Sequence, residues 1–265
     1  MNSVAINDYE AVASAIDNPR YRLAPEQFRF FWEHGYLGPL LCDDPSVADL
    51  AAIACRAGLI NRVDGGPIPA LTTWLNGETK HINVHDPHLT VPEIREICSH
   101  PSIVNPIAQI LGCRKIEFFQ SRFRVKFPRK ADPVPWHQDV GDNNGGCYED
   151  GSPIPTITVW LSVDGATNAS GSVKVVPGTH RKLFGDWRSG FHSRLEERGA
   201  MSDLDTAKSI SLEAEPNQFY LFHSWTLHTS TGNTSGSART GLVMRFVAPE
   251  DALHPEFGYI DLMAG

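Results

Sequence analysis

The stretch KIEFFQSRFRVKF, residues 115–127, is where the chain changes character. Before it, apolar residues recur at helical spacing. From it onward they alternate with polar ones, the period of a strand with two unlike faces. Towards the C-terminus, TITVWLSVD (156–164), SVKVVPG (172–178), SISLEA (209–214), NQFYLFHSW (217–225) and RTGLVMRFVAP (239–249) are all strand-like, with Gly, Pro, Asn and Ser clustered between them. Many short strands with turn punctuation predict a sandwich or a double-sheet barrel. Towards the N-terminus the pattern predicts helices. LAPEQFRFFWEHG (23–35) carries Phe28, Phe31 and Trp32 and then a Gly stop. DPSVADLAAIACRAG (44–58) opens with Asp44 as N-cap and Pro45 at the first helical position, and ends at Gly58. TVPEIREICSH (90–100) places Thr90 and Glu93 at capping-box spacing. PSIVNPIAQILG (101–112) is a further helix, with a kink expected at Pro106. The expected layout is one domain over residues 1–265. A mainly helical part, 1–112, packs on one face of a β core, 113–265. The long polar segment 181–208 interrupts the strands and reads as a lid-like insert.

Composition narrows the function. The 265 residues include 41% hydrophobic and 20% charged, ordinary for a globular domain with a sizeable core. A net charge of −8 argues against nucleic acid and against an acidic membrane surface as partners. No apolar run approaches the ~20 residues of a membrane span. The N-terminal residues carry Asp and Glu without a basic start, so no secretion signal is expected. Five Cys at wide spacings, with no C-x-x-C, predict neither a disulfide framework nor a thiolate zinc site, and favour a reducing cytoplasm.

His137 and Asp139 stand two apart in PWHQD (135–139). Alone, such a pair suits a polar turn as well as a metal. A third ligand would have to come from another strand, and LFHSWTLHTS offers both His223 and His228. Two imidazoles and one carboxylate on one face leave three positions of a metal open, the facial-triad arrangement of non-haem Fe(II) oxygenases. Two of these can chelate a 2-oxo acid and the last can take O₂. The distal carboxylate of 2-oxoglutarate then needs a partner, and the planar fork of an arginine matches it. Arg239 follows His228 by eleven residues, beyond the turn GNTSGSA (232–238). HINVHDPH (81–88) holds a rival trio, His81, His85 and His88. Pro87 disfavours a shared helical face and no general-base Glu lies between them, so this segment reads as a solvated loop.

PWHQD, TVWLSVDGATNASGSVKVVPGTH (158–180) and LFHSWTLHTSTGNTSGSAR (221–239) together resemble the phytanoyl-CoA dioxygenase-like family of Fe(II)/2-oxoglutarate oxygenases. LAPEQFRFFWEHGYLGPL (23–40) and ICSHPSIVNPIAQILG (97–112) are similar too, so the likeness covers nearly the whole chain. The resemblance implies a double-stranded β-helix (a jelly roll, cupin-like) behind N-terminal helices. It implies His137, Asp139 and His228 as ligands of Fe(II), with 2-oxoglutarate as co-substrate and O₂ as oxidant. Arg239 becomes the oxoglutarate anchor, with Ser230 assisting and Trp160 and Arg124 nearby. FFQSRFRVKF (118–127) is similar to a strand of ectoine-hydroxylase-like members, which implies that Gln120 and Arg122 face substrate. Related halogenases carry Gly or Ala at the position of Asp139. The carboxylate here implies hydroxylation of an unactivated C–H of a small molecule, by analogy an amino-acid derivative or a secondary-metabolite intermediate. Desaturation, cyclisation or epimerisation by the same iron chemistry is the alternative, and a non-catalytic jelly-roll binding module is a third reading. Arg122 with Arg188 in the lid-like insert suits an acidic or zwitterionic substrate. No residue points to a carrier protein.

Overall fold

The computed structural model describes residues 6–59, 72–75, 78–129, 131–140, 144–185, 195 and 205–265. In chain order its regular elements begin with α1 (Ile6–Ser14), α2 (Pro25–His34), β1 (Tyr36–Leu41), α3 (Leu50–Arg56), β2 (Thr72–Leu75), β3 (Glu78–His85), α4 (Pro92–Cys98) and α5 (Pro101–Leu111). The remaining elements are strands: β4 (Lys115–Lys126), β5 (Val134–His137), β6 (Ile157–Ser162), β7 (Val173–Val175), β8 (Ile210–Leu212), β9 (Gln218–His223), β10 (His228–Ser230), β11 (Arg239–Val247) and β12 (Ile260–Met263).

Two antiparallel sheets form the jelly roll. The larger runs β1-β9-β6-β11-β4-β3-β2, with β12 beside β4. The smaller runs β5-β10-β7-β8. The six strand-like stretches of the sequence each hold an observed strand. The N-terminal part is less purely helical than its pattern predicts, because it adds β1, β2 and β3 to the larger sheet. HINVHDPH is therefore not a solvated loop. Its first five residues end β3, where Ile82 and Val84 are buried in the core.

Local chemistry accounts for most helix ends. α2 starts at Pro25 and stops at Gly35, whose φ of 80° is the left-handed C-cap conformation. A side chain at Gly35 would also meet His180 and Thr226. Asp44 caps as expected, accepting from Ser46 N at 2.8 Å, but the first turn is 3-10 and α3 begins only at Leu50. The Thr90–Glu93 capping box does not form. Pro92 takes the first helical position, Val91 becomes the N-cap, and Thr90 Oγ1 donates to Pro87 O instead. α5 runs through Pro106 and is buried almost all round. It lies inside the main core, where α4 and α5 meet one face of the larger sheet through Ile94, Ile103, Ile107, Phe123 and Phe246.

A bulge decides what the other face carries. Along β4 and β11, Gln120 faces Arg245 and Phe118 faces Phe246, so Phe119 is the extra residue. One extra residue flips the alternation. Phe118 joins the helix-side core, whereas Gln120, Arg122, Arg124 and Lys126 line the inner face with their register partners Arg245, Val243, Gly241 and Arg239. Among the described residues no helix is long and apolar enough to cross a membrane. The lid-like insert lies largely outside the described residues, and with it Arg188, Arg194 and Arg198.

Candidate metal centre

His137 ends β5 and His228 begins β10, and the two are direct cross-strand partners. Their rings lie 3.9 Å apart between centroids. Asp139 sits two residues past His137, tied to the neighbouring turn by its N–H donating to Ser224 O at 2.7 Å. Each imidazole has its Nδ1 fixed on the carbonyl two residues before it: His137 on Pro135 O and His228 on Thr226 O, both at 2.9 Å. A ring that donates from Nδ1 presents the lone pair of Nε2. Those two Nε2 atoms face Asp139, each 3.8 Å from one carboxylate oxygen. One donor atom from each residue lies within 4.8 Å of the others, the one such group among the described residues. The protonation states suit a metal. Burial, reinforced by His228, pushes His137 down to about 3, and burial also lowers His228. Burial alone would raise the Asp139 carboxyl. The Arg245 guanidinium, then His228 and His137, overrule it and hold the group well below the usual carboxylate range. Neutral imidazoles beside a carboxylate are what a divalent cation needs.

Arg245 is a residue the motifs miss. Its Nη2 lies 2.8 Å from Asp139 Oδ1, and its Nη1 donates to Gln120 Oε1. Thr158 Oγ1 donates to Asp139 Oδ2 at 3.1 Å. The carboxylate is thus oriented from behind before any metal arrives. The signal was present in the strand period: Arg239 and Arg245 share parity on β11, as Lys126 shares it with Gln120, Arg122 and Arg124 on β4.

A cavity of about 270 Å³ opens beside the three ligands and is lined by Arg124, Lys126, Trp160, Ser230, Arg239 and Arg245 among others. Arg239 is buried, with one Nη donating to Gly171 O and its Nε without a partner. The guanidinium stacks 5.4 Å over the Trp160 ring, and Gly241 keeps the space open, since a Cβ there would lie 3.0 Å from Trp160 Nε1. Lys126, opposite Arg239, donates to Ser230 Oγ at 2.8 Å and to the Thr231 carbonyl. The structure therefore brings Arg239, Ser230, Trp160 and Arg124 to one cavity with the metal ligands, and adds Lys126. Gln120 lies behind the carboxylate with its oxygen engaged by Arg245, and Arg122 stands next along β4.

The rival histidines with described side chains do not converge there, and the His81 side chain lies outside the described ones. His223 is buried and accepts from Trp225 N at 3.0 Å, beside the His180 and Trp32 rings. His88 is buried on the helix side against Phe118, with Nδ1 2.7 Å from Ser121 Oγ. His85 is on the exposed end of β3.

Known proteins place this arrangement in a family. The chain is similar to L-proline trans-4-hydroxylase of Streptomyces griseoviridis, 24% identical over 172 residues. That match covers 57% of this chain and 63% of the relative, so the chain spans less than two thirds of the curated relative's length. Among solved structures, the carbocyclase SnoK from nogalamycin biosynthesis superposes with a TM-score of 0.66 at 18% identity, over 86% of this chain and 85% of that one. EctD from S. alaskensis superposes with a TM-score of 0.65 at 19% identity, over 89% and 78%. These likenesses establish the jelly-roll fold. The model of the phytanoyl-CoA dioxygenase (PhyH) family matches residues 65–241, a span that holds the three ligands and Arg239, and the chain belongs to that family.

Proposed function

We propose that the protein is an Fe(II)- and 2-oxoglutarate-dependent oxygenase that hydroxylates an unactivated C–H of a small molecule. The observation that carries this reading is the juxtaposition of a complete two-histidine, one-carboxylate triad with a buried, partly unsatisfied anion anchor in one cavity. The residues fit the cofactors. His137, Asp139 and His228 would hold the iron, and Arg239 with Lys126 and Ser230 would hold the distal carboxylate of 2-oxoglutarate. When bound, iron, 2-oxoglutarate and O₂ together supply an oxidant able to attack C–H bonds, with succinate and CO₂ as the other products.

The chain's own residues set the conditions for that chemistry. The paired β5 and β10 fix both imidazoles and their tautomers. Arg245 and Thr158 orient Asp139. Trp160, Val173, Phe222 and Val243 give the cavity its apolar walls and limit water. Gln120, Arg122 and Arg188 are the proposed substrate contacts. They suit an acidic or zwitterionic molecule, and the similarity to a proline hydroxylase supports an amino-acid derivative. Among the described residues Cys42, Cys98 and Cys113 form no disulfide, which fits a reducing cytoplasm. A second reading, cyclisation or epimerisation on the same site, is favoured by the structural likeness to a carbocyclase and to the epimerase SnoN. A non-catalytic module is disfavoured by the intact triad.

The test is 2-oxoglutarate turnover. Purified protein with Fe(II), 2-oxoglutarate and O₂ should release succinate, and a screen of small acids and amino-acid derivatives should find a product one oxygen heavier. A product lacking two hydrogens would favour the second reading. No succinate under any condition would refute the oxygenase reading.

A further inference from the structure

Three consecutive carbonyls of one turn serve the metal centre. Ser224 O accepts from Asp139 N at 2.7 Å, Trp225 O accepts from Gln138 Nε2 at 2.7 Å, and Thr226 O lies 2.9 Å from His228 Nδ1. The turn thus holds the backbone of one ligand, the residue between two ligands and the ring of the third. Whatever fixes this turn also fixes where the three ligands meet. The strands that carry them offer little help. β5 has four residues and β10 three, and their register shifts between His228 and Ser230.

Buried side chains hold the turn instead. Ser224 Oγ accepts from Thr156 N at 2.9 Å, and Thr226 Oγ1 donates to Gly35 O at 2.7 Å. Gln138 is fully buried and reaches further. Besides Trp225 O, its Nε2 donates to Lys182 O at 2.9 Å, and its Oε1 accepts from Phe184 N at 3.0 Å. Two carbonyls at one end and an N–H at the other leave the amide a single orientation. His223 closes the turn from within. Its Nδ1 accepts from Trp225 N at 3.0 Å, two residues on, the bond that Asn or Asp makes in an Asx turn. The ring proton therefore sits on Nε2, the reverse of His137 and His228, and no lone pair is left for a metal. Burial, reinforced by His180, pushes His223 down to about 3 and keeps it neutral.

We infer that Gln138 and His223 are positioning residues of the metal centre, which lock the Ser224–Thr226 turn and through it the placement of Asp139 and His228. The inference rests on the triad as the metal centre. His223, a rival ligand by sequence, thereby takes a place behind the site. Gln138, set between His137 and Asp139 in the chain, joins the ligand stretch both to the turn and to Lys182 and Phe184. Partners behind a metal ligand commonly matter almost as much as the ligand itself.

Co(II) titrated into the metal-free protein tests it, well below the melting temperature. Calorimetry gives the affinity, and the visible ligand-field bands of the bound ion report its geometry. Gln138→Met keeps the length of the side chain and removes its hydrogen bonds. His223→Leu removes the acceptor, whereas His223→Asn keeps an oxygen for the Trp225 N–H. Gln138→Met and His223→Leu should each weaken Co(II) about tenfold or more and alter the bands. His223→Asn should restore both towards wild type. Phe246→Ala, in the helix-side core, is the control: it loses stability yet should keep affinity and bands. Wild-type binding in Gln138→Met and His223→Leu overturns the inference. An equal loss in Phe246→Ala overturns it too, since both residues would then be general supports of the fold. His223→Asn binding as weakly as His223→Leu overturns the role of the His223 acceptor. If Gln138→Met does not fold, the two His223 variants decide. Failure of the underlying reading looks different: wild type and His137→Ala take up Co(II) alike, and the inference falls with the metal centre.

Discussion

The two faces of the β4–β11 pair are built from neighbouring residues and do opposite work. On the helix side stand Phe123, Leu242, Met244 and Phe246, fully buried against α4 and α5. On the inner side stand Arg122, Arg124, Lys126, Arg239 and Arg245, a row of cations of which Arg245 pairs with Asp139. The apolar face gains stability from burial and asks nothing of a ligand. The cationic face pays desolvation without full compensation and is completed only by anions and a metal. Fold and function are thus separated by strand alternation alone, and substitutions one residue apart should fail in different ways.

The largest effect belongs to the metal ligands. His137→Ala or His228→Ala should reduce 2-oxoglutarate turnover to background and remove the visible charge-transfer band of the anaerobic Fe(II)–oxoglutarate complex. The melting temperature of the metal-free protein should change little. Retention of the band in both variants would show that iron is held elsewhere.

Phe246 and Arg245 offer the sharpest contrast. Phe246→Ala opens a cavity in the helix-side core and should cost about 3–5 kcal/mol, roughly 10 °C or more in melting temperature. Arg245→Met leaves Asp139 buried without its partner, a loss of about 3–5 kcal/mol as well. A divalent metal should distinguish them, because the ion replaces the missing positive charge beside Asp139. Thermal scans with and without Co(II) should show a larger metal-induced rise for Arg245→Met than for wild type, and an ordinary rise for Phe246→Ala. Equal rises in all three would mean that the two faces are not energetically separate.

How much of this was legible follows from the same alternation. The strand character of β4 and β11 could be read from their period, and the triad with Arg239 from the resemblance of PWHQD and LFHSWTLHTSTGNTSGSAR to the family, since residue type alone left His223 and His228 both open. Which face each residue takes could not. Phe118 and Gln120 share parity in the sequence, yet the bulge at Phe119 sends them to opposite sides. β3 was hidden because Pro87 and three histidines obscure the Ile82–Val84 alternation. β5 and β10 have four and three residues, too few to show any period. Arg245 and Lys126 carry no motif of their own, and their roles appear only when register places them across from Gln120 and Arg239.

On the cationic face, the anchor should matter for co-substrate and not for metal. Arg239→Gln should weaken 2-oxoglutarate by about 2–5 kcal/mol, the cost of removing one partner of a buried charge pair. Fe(II) binding without oxoglutarate should be largely retained, since Arg239 touches none of the three ligands in the described hydrogen-bond network. An oxoglutarate affinity equal to wild type would move the anchor elsewhere.

The smallest expected effect is a slope. Burial, then Arg239 and Arg124, pushes the Lys126 amine down to about 7 in the free protein. A carboxylate bound beside it favours the ammonium and raises that value. Below about pH 7 the amine is charged in both states, and oxoglutarate affinity is at its full value. Above it the free protein loses the proton and must take one up to bind, so affinity falls by up to about tenfold per pH unit until the bound form also titrates. The imidazoles do not confuse this window, because His137 titrates near 3 and burial lowers His228 as well. Stability runs the other way. An unfolded lysine holds its proton to about pH 10.4, so between 7 and 10 the unfolded chain binds more protons and the ligand-free fold gains stability as pH rises. Lys126→Met should flatten both slopes while keeping the aliphatic stem. Titrations of 2-oxoglutarate from pH 6.5 to 9 decide it: if the variant keeps the wild-type decline, Lys126 is a buried strut between Ser230 and Thr231, and Arg239 holds the carboxylate without it.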